Sequence, residues 1–407
     1  MGPSGWNRVV ARCLRSFVGA VASLGVGART RRSALRGLAR LAVSCAVLTF
    51  LTGVAAAWGS DPKPQDAGVA ASNARLVRVQ PNALSCSSPR ACTAVGEEPS
   101  NGDWWVLQRW DGKRWSTQQV VPFVLQGVSC PSNDTCFAAG SVGPFSTGPV
   151  ALMERWTGGS WSAMSTPSPA SAAFTDVSCS SPKACLAIGD VGGENAPLVE
   201  SWNGTSWSIV PAPVAWSQID LVSCAASSSC IALGIEGESQ VVARWNGTSW
   251  LPEQLPSSHR SDGFINDLSC SSPTACVAIG GWETGACAGD GLVYGSSSPA
   301  LATDAGKGCQ GNLSWSLGGS RLLVRNSPAL FSVSCVSASW CMAAGYQPYL
   351  WNGKRWASLP VPRHTQPAYV SCTSVKACIG VGDPGESSLR WNGTRWRRIP
   401  ALPRAPT

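Results

Sequence analysis

The chain has 407 residues, with 31 Lys plus Arg against 23 Asp plus Glu, 18 Cys, 20 Trp and only 2 His. Its formal charge of +8 is concentrated: eight arginines lie in the first 57 residues, which hold no acid, and the remainder balances at 23 against 23. No basic stripe for nucleic acid is therefore expected, and His259 and His364 are too few for a His-rich metal site, so no metal and no cofactor is expected.

At the N-terminus, residues 41–57 form an uncharged, largely apolar run behind the arginines, ending in the small residues Ala55-Ala56-Ala57. This layout predicts an export signal over 1–57, with Arg31-Arg32 resembling a twin-arginine motif. The competing reading is an uncleaved anchor, which Ser44, Thr49, Thr52 and Gly53 weaken. Only that anchor would tie the chain to a membrane. A linker is expected over 58–78, and the rest is expected outside the cell or at its surface.

From residue 79 the chain repeats. The pattern [VL]SCxxxxxCxxxG recurs as Cys86/Cys92, Cys130/Cys136, Cys179/Cys185, Cys224/Cys230, Cys270/Cys276, Cys335/Cys341 and Cys372/Cys378, defining units 1 to 7. A glycine follows each second cysteine by four residues: Gly96, Gly140, Gly189, Gly234, Gly280, Gly345 and Gly382. Cysteines six apart, flanking a turn between antiparallel strands, face one another, and a disulfide there contributes about 2 kcal/mol on the chain-entropy estimate. Zinc motifs favour shorter spacings. Eighteen cysteines also suit an oxidising compartment.

Every unit except the fifth continues into two tryptophans with four residues between them: Trp110/Trp115, Trp156/Trp161, Trp202/Trp207, Trp245/Trp250, Trp351/Trp356 and Trp391/Trp396. Asn-Gly, Asp-Gly or Thr-Gly between them is tight-hairpin chemistry, and the sequons at Asn203, Asn246 and Asn392 are those turns. Repetition at one position predicts that these rings are core, not stacking platforms for a sugar. In unit 3 the strands are predicted at 174–179, 185–189, 197–202 and 207–210. Four short strands repeated seven times, without helical periodicity, predict an all-β fold: a seven-bladed β-propeller over 79–407. Closure of the ring is open, since both 75–80 and 397–401 read as an outermost strand for the last blade.

The order of apolar strand, strand ending in Gly, strand ending in an aromatic, tight turn and Trp resembles the kelch repeat, whose family folds as a propeller. It is also similar to cysteine-containing propeller repeats of secreted proteins from high-GC bacteria. Trp in place of Tyr, and the added cysteine pair, depart from kelch.

Unit 5 breaks the pattern. It lacks the first hairpin tryptophan and gains an insertion over 282–312 bearing Cys287 and Cys309, the only cysteines outside repeats and leader. A disulfide between them would tie one loop, making Trp282, Glu283, Asp290, Tyr294 and Asp304 the candidate binding residues, with His259, Arg260 and Asp262 nearby in sequence. The expected function is a monomeric, non-catalytic binding propeller for a protein or a glycan. The alternative is a carbohydrate-active enzyme with a carboxylate pair in the propeller channel.

Overall fold

Short-range pairing builds each unit, as its residue types require. A computed structural model of the protein describes residues 76–98, 104–143, 148–192, 196–253, 263–282, 291–295, 323–324, 330–382 and 387–406. All regular elements among them are strands. No helix among the described residues is long and apolar enough to cross a membrane.

Unit 3 shows the plan: strands Ala172–Ser181, Ala184–Val191, Ala196–Trp202 and Trp207–Ile209 pair antiparallel in that order. They contain the four predicted segments except Val210, with the ends extended. Units 1, 2, 4, 6 and 7 form the same four-stranded sheet. In unit 5, Gly263–Ser272 and Ala275–Trp282 are followed by Gly291–Gly295 and then Leu323–Val324, again in sequence order.

In each unit a disulfide joins the first strand to the second, with Cα atoms 3.9–4.0 Å apart. The second cysteine of each pair is buried deep in its sheet. Cys185, Cys230 and Cys341 lie opposite Trp202, Trp245 and Trp351 of the third strand. Cys276, whose unit lacks that tryptophan, is buried instead among Ile231 and Leu233 of unit 4.

Across the outer hairpin the tryptophans face each other in register, ring centroids 5.3–5.9 Å apart and planes tilted by 40–54°. Such cross-strand aromatic pairs contribute roughly 0.2–1 kcal/mol each. The first ring commonly reaches back to the inner turn: Trp110 Nε1 donates to Pro89 O, Trp202 Nε1 to Pro182 O and Trp391 Nε1 to Val375 O. Both hairpin turns of a unit therefore lie at one end of its sheet, called here the turn end.

The repeated glycine follows from a bulge. In unit 3 the first strand carries an extra residue between Phe174 and Asp176, and the shift presses its backbone onto the second strand. A Cβ at Gly189 would lie inside van der Waals contact with Ala173 O, as at Gly140 with Val124 O and at Gly96 with Gln80 O. Only glycine fits.

Sheets bury their faces against neighbours. Phe137 and Met153 of unit 2 pack with Phe174 and Trp202 of unit 3, and Ile188 of unit 3 packs with Ile219 and Trp245 of unit 4. Between first strands, the serine preceding each first cysteine accepts a hydrogen bond from the next unit's first cysteine N–H, at 2.9–3.0 Å. Cys86 N–H, back in unit 1, donates to Ser371 Oγ of unit 7, so the series closes on itself. The first strands are therefore the inner strands of a β-propeller with four-stranded blades.

Of the two expected outermost strands for the last blade, the one at 397–401 is used. Trp396–Ile399 is the outer strand of the last unit, while Leu76–Val77, within the expected linker, pairs with Ala405–Pro406 in a separate two-stranded ribbon. Each four-stranded sheet is thus one continuous stretch of chain. The last and first units meet through Ile379, Val381 and Leu402 packed on Ala94, Trp110 and Trp115.

Candidate functional site

The insertion in unit 5 is divided by a strand. Trp282 ends the second strand opposite Gly263, and Tyr294 lies in the third strand opposite Ala278. Residues 283–290 therefore join second to third strand, whereas 296–322 join third to fourth. Antiparallel strands place those two pairs of anchor points at opposite ends of the sheet, so the single tied loop expected from 282–312 is instead two connections. Glu283, Asp290, Asp304, Cys287 and Cys309 lie outside the described residues, as do His259, Arg260 and Asp262.

The repeat cysteines form the expected disulfides and serve as framework. Cys92, Cys136, Cys185, Cys230, Cys276, Cys341 and Cys378 are each at most 4% exposed. A ligand has no access to Cys185, Cys230, Cys276 or Cys341, because neighbouring strands and sheets cover them. Their sulfurs are also already consumed in the bonds to Cys179, Cys224, Cys270 and Cys335.

Acids on the inner strands are already engaged. Asp176 Oδ1 accepts from Val177 N and its Oδ2 from Val222 N of the next unit. Asp267 repeats this with Leu268 N and Val333 N. In unit 6, Ser332 Oγ takes the same role, accepting from Val370 N. With N–H donors on both oxygens, these carboxylates bridge neighbouring first strands as acceptors, and a general acid would need a proton to give. Among the described residues, no group of three His, Cys, Asp or Glu could hold a metal ion.

Two glutamates sit inside the sheets. Glu154 and Glu200 occupy the same position of the third strand in units 2 and 3, opposite Ala138 and Ala187, and both are buried. Burial raises both carboxyls above the ordinary carboxylate range, and for Glu200 the hydrogen bond from Ser168 Oγ opposes that rise. The matching Gln108 of unit 1 donates to Pro403 O and Thr117 Oγ1. Glu200 and Gln108 thus tie the connections at Ser168 and Pro403 to their sheets.

Exposed cations gather along one arc of the turn end. At the turn end, unit 1 presents Arg90, Lys113 and Arg114, unit 6 Lys354 and Arg355, and unit 7 Lys376 and Arg395, all exposed. Asp111 is the one acid in those turns, and its Oδ1 accepts from Lys113 N and Arg114 N, which holds its carboxyl below the ordinary range. Units 6, 7 and 1 are consecutive around the closed ring, so these cations form one arc. The outer turns of units 2, 3 and 4 carry serine where units 1, 6 and 7 carry arginine, directly before the second tryptophan. At the opposite end both signs occur: Glu97 and Asp190 lie at the ends of second strands in units 1 and 3, Glu236 and Glu238 flank a turn of unit 4, and Arg78, Arg363 and Arg404 are exposed. Net charge sums over the whole chain, which is why composition alone hid a basic surface.

Comparison with known proteins adds fold and nothing finer. No family model matches the chain, and no curated protein matches it. Among solved structures, a chain of Kuenenia stuttgartiensis hydrazine synthase aligns with TM-score 0.51 at 8% identity, covering 80% of this chain and 98% of that one. YCF48 bound to a D1 peptide aligns at 0.49 and 14% identity, covering 80% and 96%. The WD40 β-propeller domain of Doa1 aligns at 0.46 and 9%, covering 80% and 94%. At such identities the likeness is of fold alone.

Proposed function

We propose that the chain is an exported, monomeric, seven-bladed binding propeller of kelch-like repeats, which recognises a protein or a glycan through the connections of unit 5 and needs no cofactor. Residues 1–57 deliver it outside the cell, and a membrane is involved only where that segment is retained. The observation that carries the binding reading is how the repeated positions are used. Cysteines are closed in disulfides, tryptophans are paired inside the sheets, and inner-strand serines are spent joining neighbours. Variation is left to the connections, and unit 5 departs furthest from the repeat. Seven disulfides suit an oxidising environment, and seven serine–cysteine steps around the inner strands support seven blades. The enzyme alternative loses ground because Asp176 and Asp267 are committed as acceptors between blades.

The test is retention and turnover of a panel of polysaccharides and unstructured peptides by the oxidised chain. Two variants, with 284–289 or 297–312 replaced by short Gly-Ser links, leave the strand Gly291–Gly295 in place. The expected result is retention of an unmodified ligand that one replacement abolishes. Release of shortened sugars, or retention unaffected by both replacements, would sink the proposal.

A further inference from the structure

The arginine immediately before the first tryptophan of the pair has a fixed use in other units. Arg109 of unit 1 donates to Thr93 Oγ1 and to Asn133 O of unit 2, and lies 4.4 Å over the Trp156 ring. In unit 2, Arg155 lies 5.5 Å from the Trp202 ring centroid of unit 3. Arg244 of unit 4 donates to Pro273 O and pairs with Glu253. In unit 7 the same position is Arg390, whose exposed side chain makes no hydrogen bond or ion pair to any described residue.

Arg390 is also opposed by a like charge. Its cross-strand partner is Arg397, whereas the partners of Arg109, Arg155 and Arg244 are Ser116, Ser162 and Leu251. Directly opposed like charges destabilise a sheet unless something neutralises them. Arg390 lies in a shallow surface crease at the junction of units 7 and 1, with Cys86, Ser88, Pro89, Ser371, Thr373 and Cys378 around it. The cationic arc of units 6, 7 and 1 surrounds this junction.

We propose that the turn end of units 6, 7 and 1 is a docking surface for an anionic polysaccharide, with the opposed Arg390 and Arg397 taking its acidic groups. The surface is separate from the connections of unit 5. Long basic side chains carried on separate hairpin turns suit regularly spaced carboxylate, sulfate or phosphate groups. Single-stranded nucleic acid is the poorer fit, because its readers stack bases on aromatic faces. No tryptophan of these three units' hairpins is exposed.

The experiment measures binding of the full oxidised chain to polygalacturonate, dextran sulfate and a polyglycerol phosphate, with neutral dextran and an oligothymidylate as class controls. It runs at about 50 and 200 mM salt. The expected result is salt-weakened binding to at least one anionic glycan, none to neutral dextran, and weaker binding to the oligonucleotide. Arg390→Ser/Arg397→Ser should lower that affinity at least tenfold, while Lys183→Ser, on a unit 3 turn outside the arc, should leave it unchanged. The double variant should unfold at or above the wild-type temperature, since it removes an opposed pair of charges and no bonded partner. Equal affinity of wild type and double variant, equal binding of neutral dextran, or preference for the oligonucleotide would overturn the proposal. Both unit 5 replacements should keep this binding, so its loss there would overturn the separate surface, and failure of the unit 5 reading leaves it standing.

Discussion

The junction between units 1 and 2 and that between units 7 and 1 are built from the same repeat yet differ in one side chain's surroundings. At the first, Arg109 is sandwiched: Trp156 lies beneath its guanidinium, Thr93 and Asn133 accept its protons, and burial pulls its pKa below the ordinary arginine value. At the second, Arg390 is exposed and faces Arg397. Identical positions in a repeat protein thus serve as a latch in one place and as exposed charge in another. Repetition identifies the position, and the neighbouring unit decides its use.

That contrast can be broken experimentally. The largest effect is expected for Arg109→Ala, which removes a desolvated cation–π contact and leaves Thr93 and Asn133 without their donor. It should cost about 3 kcal/mol in urea denaturation, against no loss for Arg390→Ala. Equal losses would show that the two junctions are energetically alike. Next come the staples. Replacing Cys130 and Cys136 by alanine should cost about 2 kcal/mol or more, because Cys136 Sγ also accepts from Arg109 Nη1 at 3.3 Å. Replacing Cys86 and Cys92 should cost less, and the reverse order would remove Arg109 from the account.

Smaller effects sharpen the picture of closure. Ser371→Ala leaves Cys86 N–H without its acceptor at the seam where the ends of the chain meet. Loss of about 1 kcal/mol is expected there, and Ser129→Ala at an interior junction should match it. A far larger loss at Ser371 would mean that the seam is the weak point of the ring.

The smallest effect is a pH dependence from the interior. Burial raises Glu200, so the folded chain keeps a proton that the unfolded chain has released. Stability should therefore fall as pH rises from the ordinary carboxylate range through the raised value. Glu200→Gln should flatten that fall, raising the unfolding temperature at pH 7 and leaving it little changed near pH 4. An unchanged slope would place the pH dependence elsewhere.

Much of the fold could be read directly because its pairs are local. Cysteines six apart and tryptophans five apart can meet only across a hairpin, and both do so in register in unit 3. The site was less legible. Sequence proximity groups Glu283 and Asp290 with Asp304, but Gly291–Gly295 separates Asp304 from the other two, and a strand of five residues without its tryptophan shows little pattern. The basic arc did leave a trace, Arg-Trp in place of Ser-Trp in the turns of units 1, 6 and 7.

What the amino-acid order determined by itself is the unit: its strands, disulfide, tryptophan pair and glycine, all set by contacts within about fifty residues along the chain. What only the tertiary structure decided is which units meet. Whether the last sheet reaches the first depends on how far each sheet turns relative to its neighbour, a result of side-chain packing between sheets rather than of any local motif. That closure sets Arg390 beside Ser88 and Pro89, and joins charges from opposite ends of the repeat region into one surface.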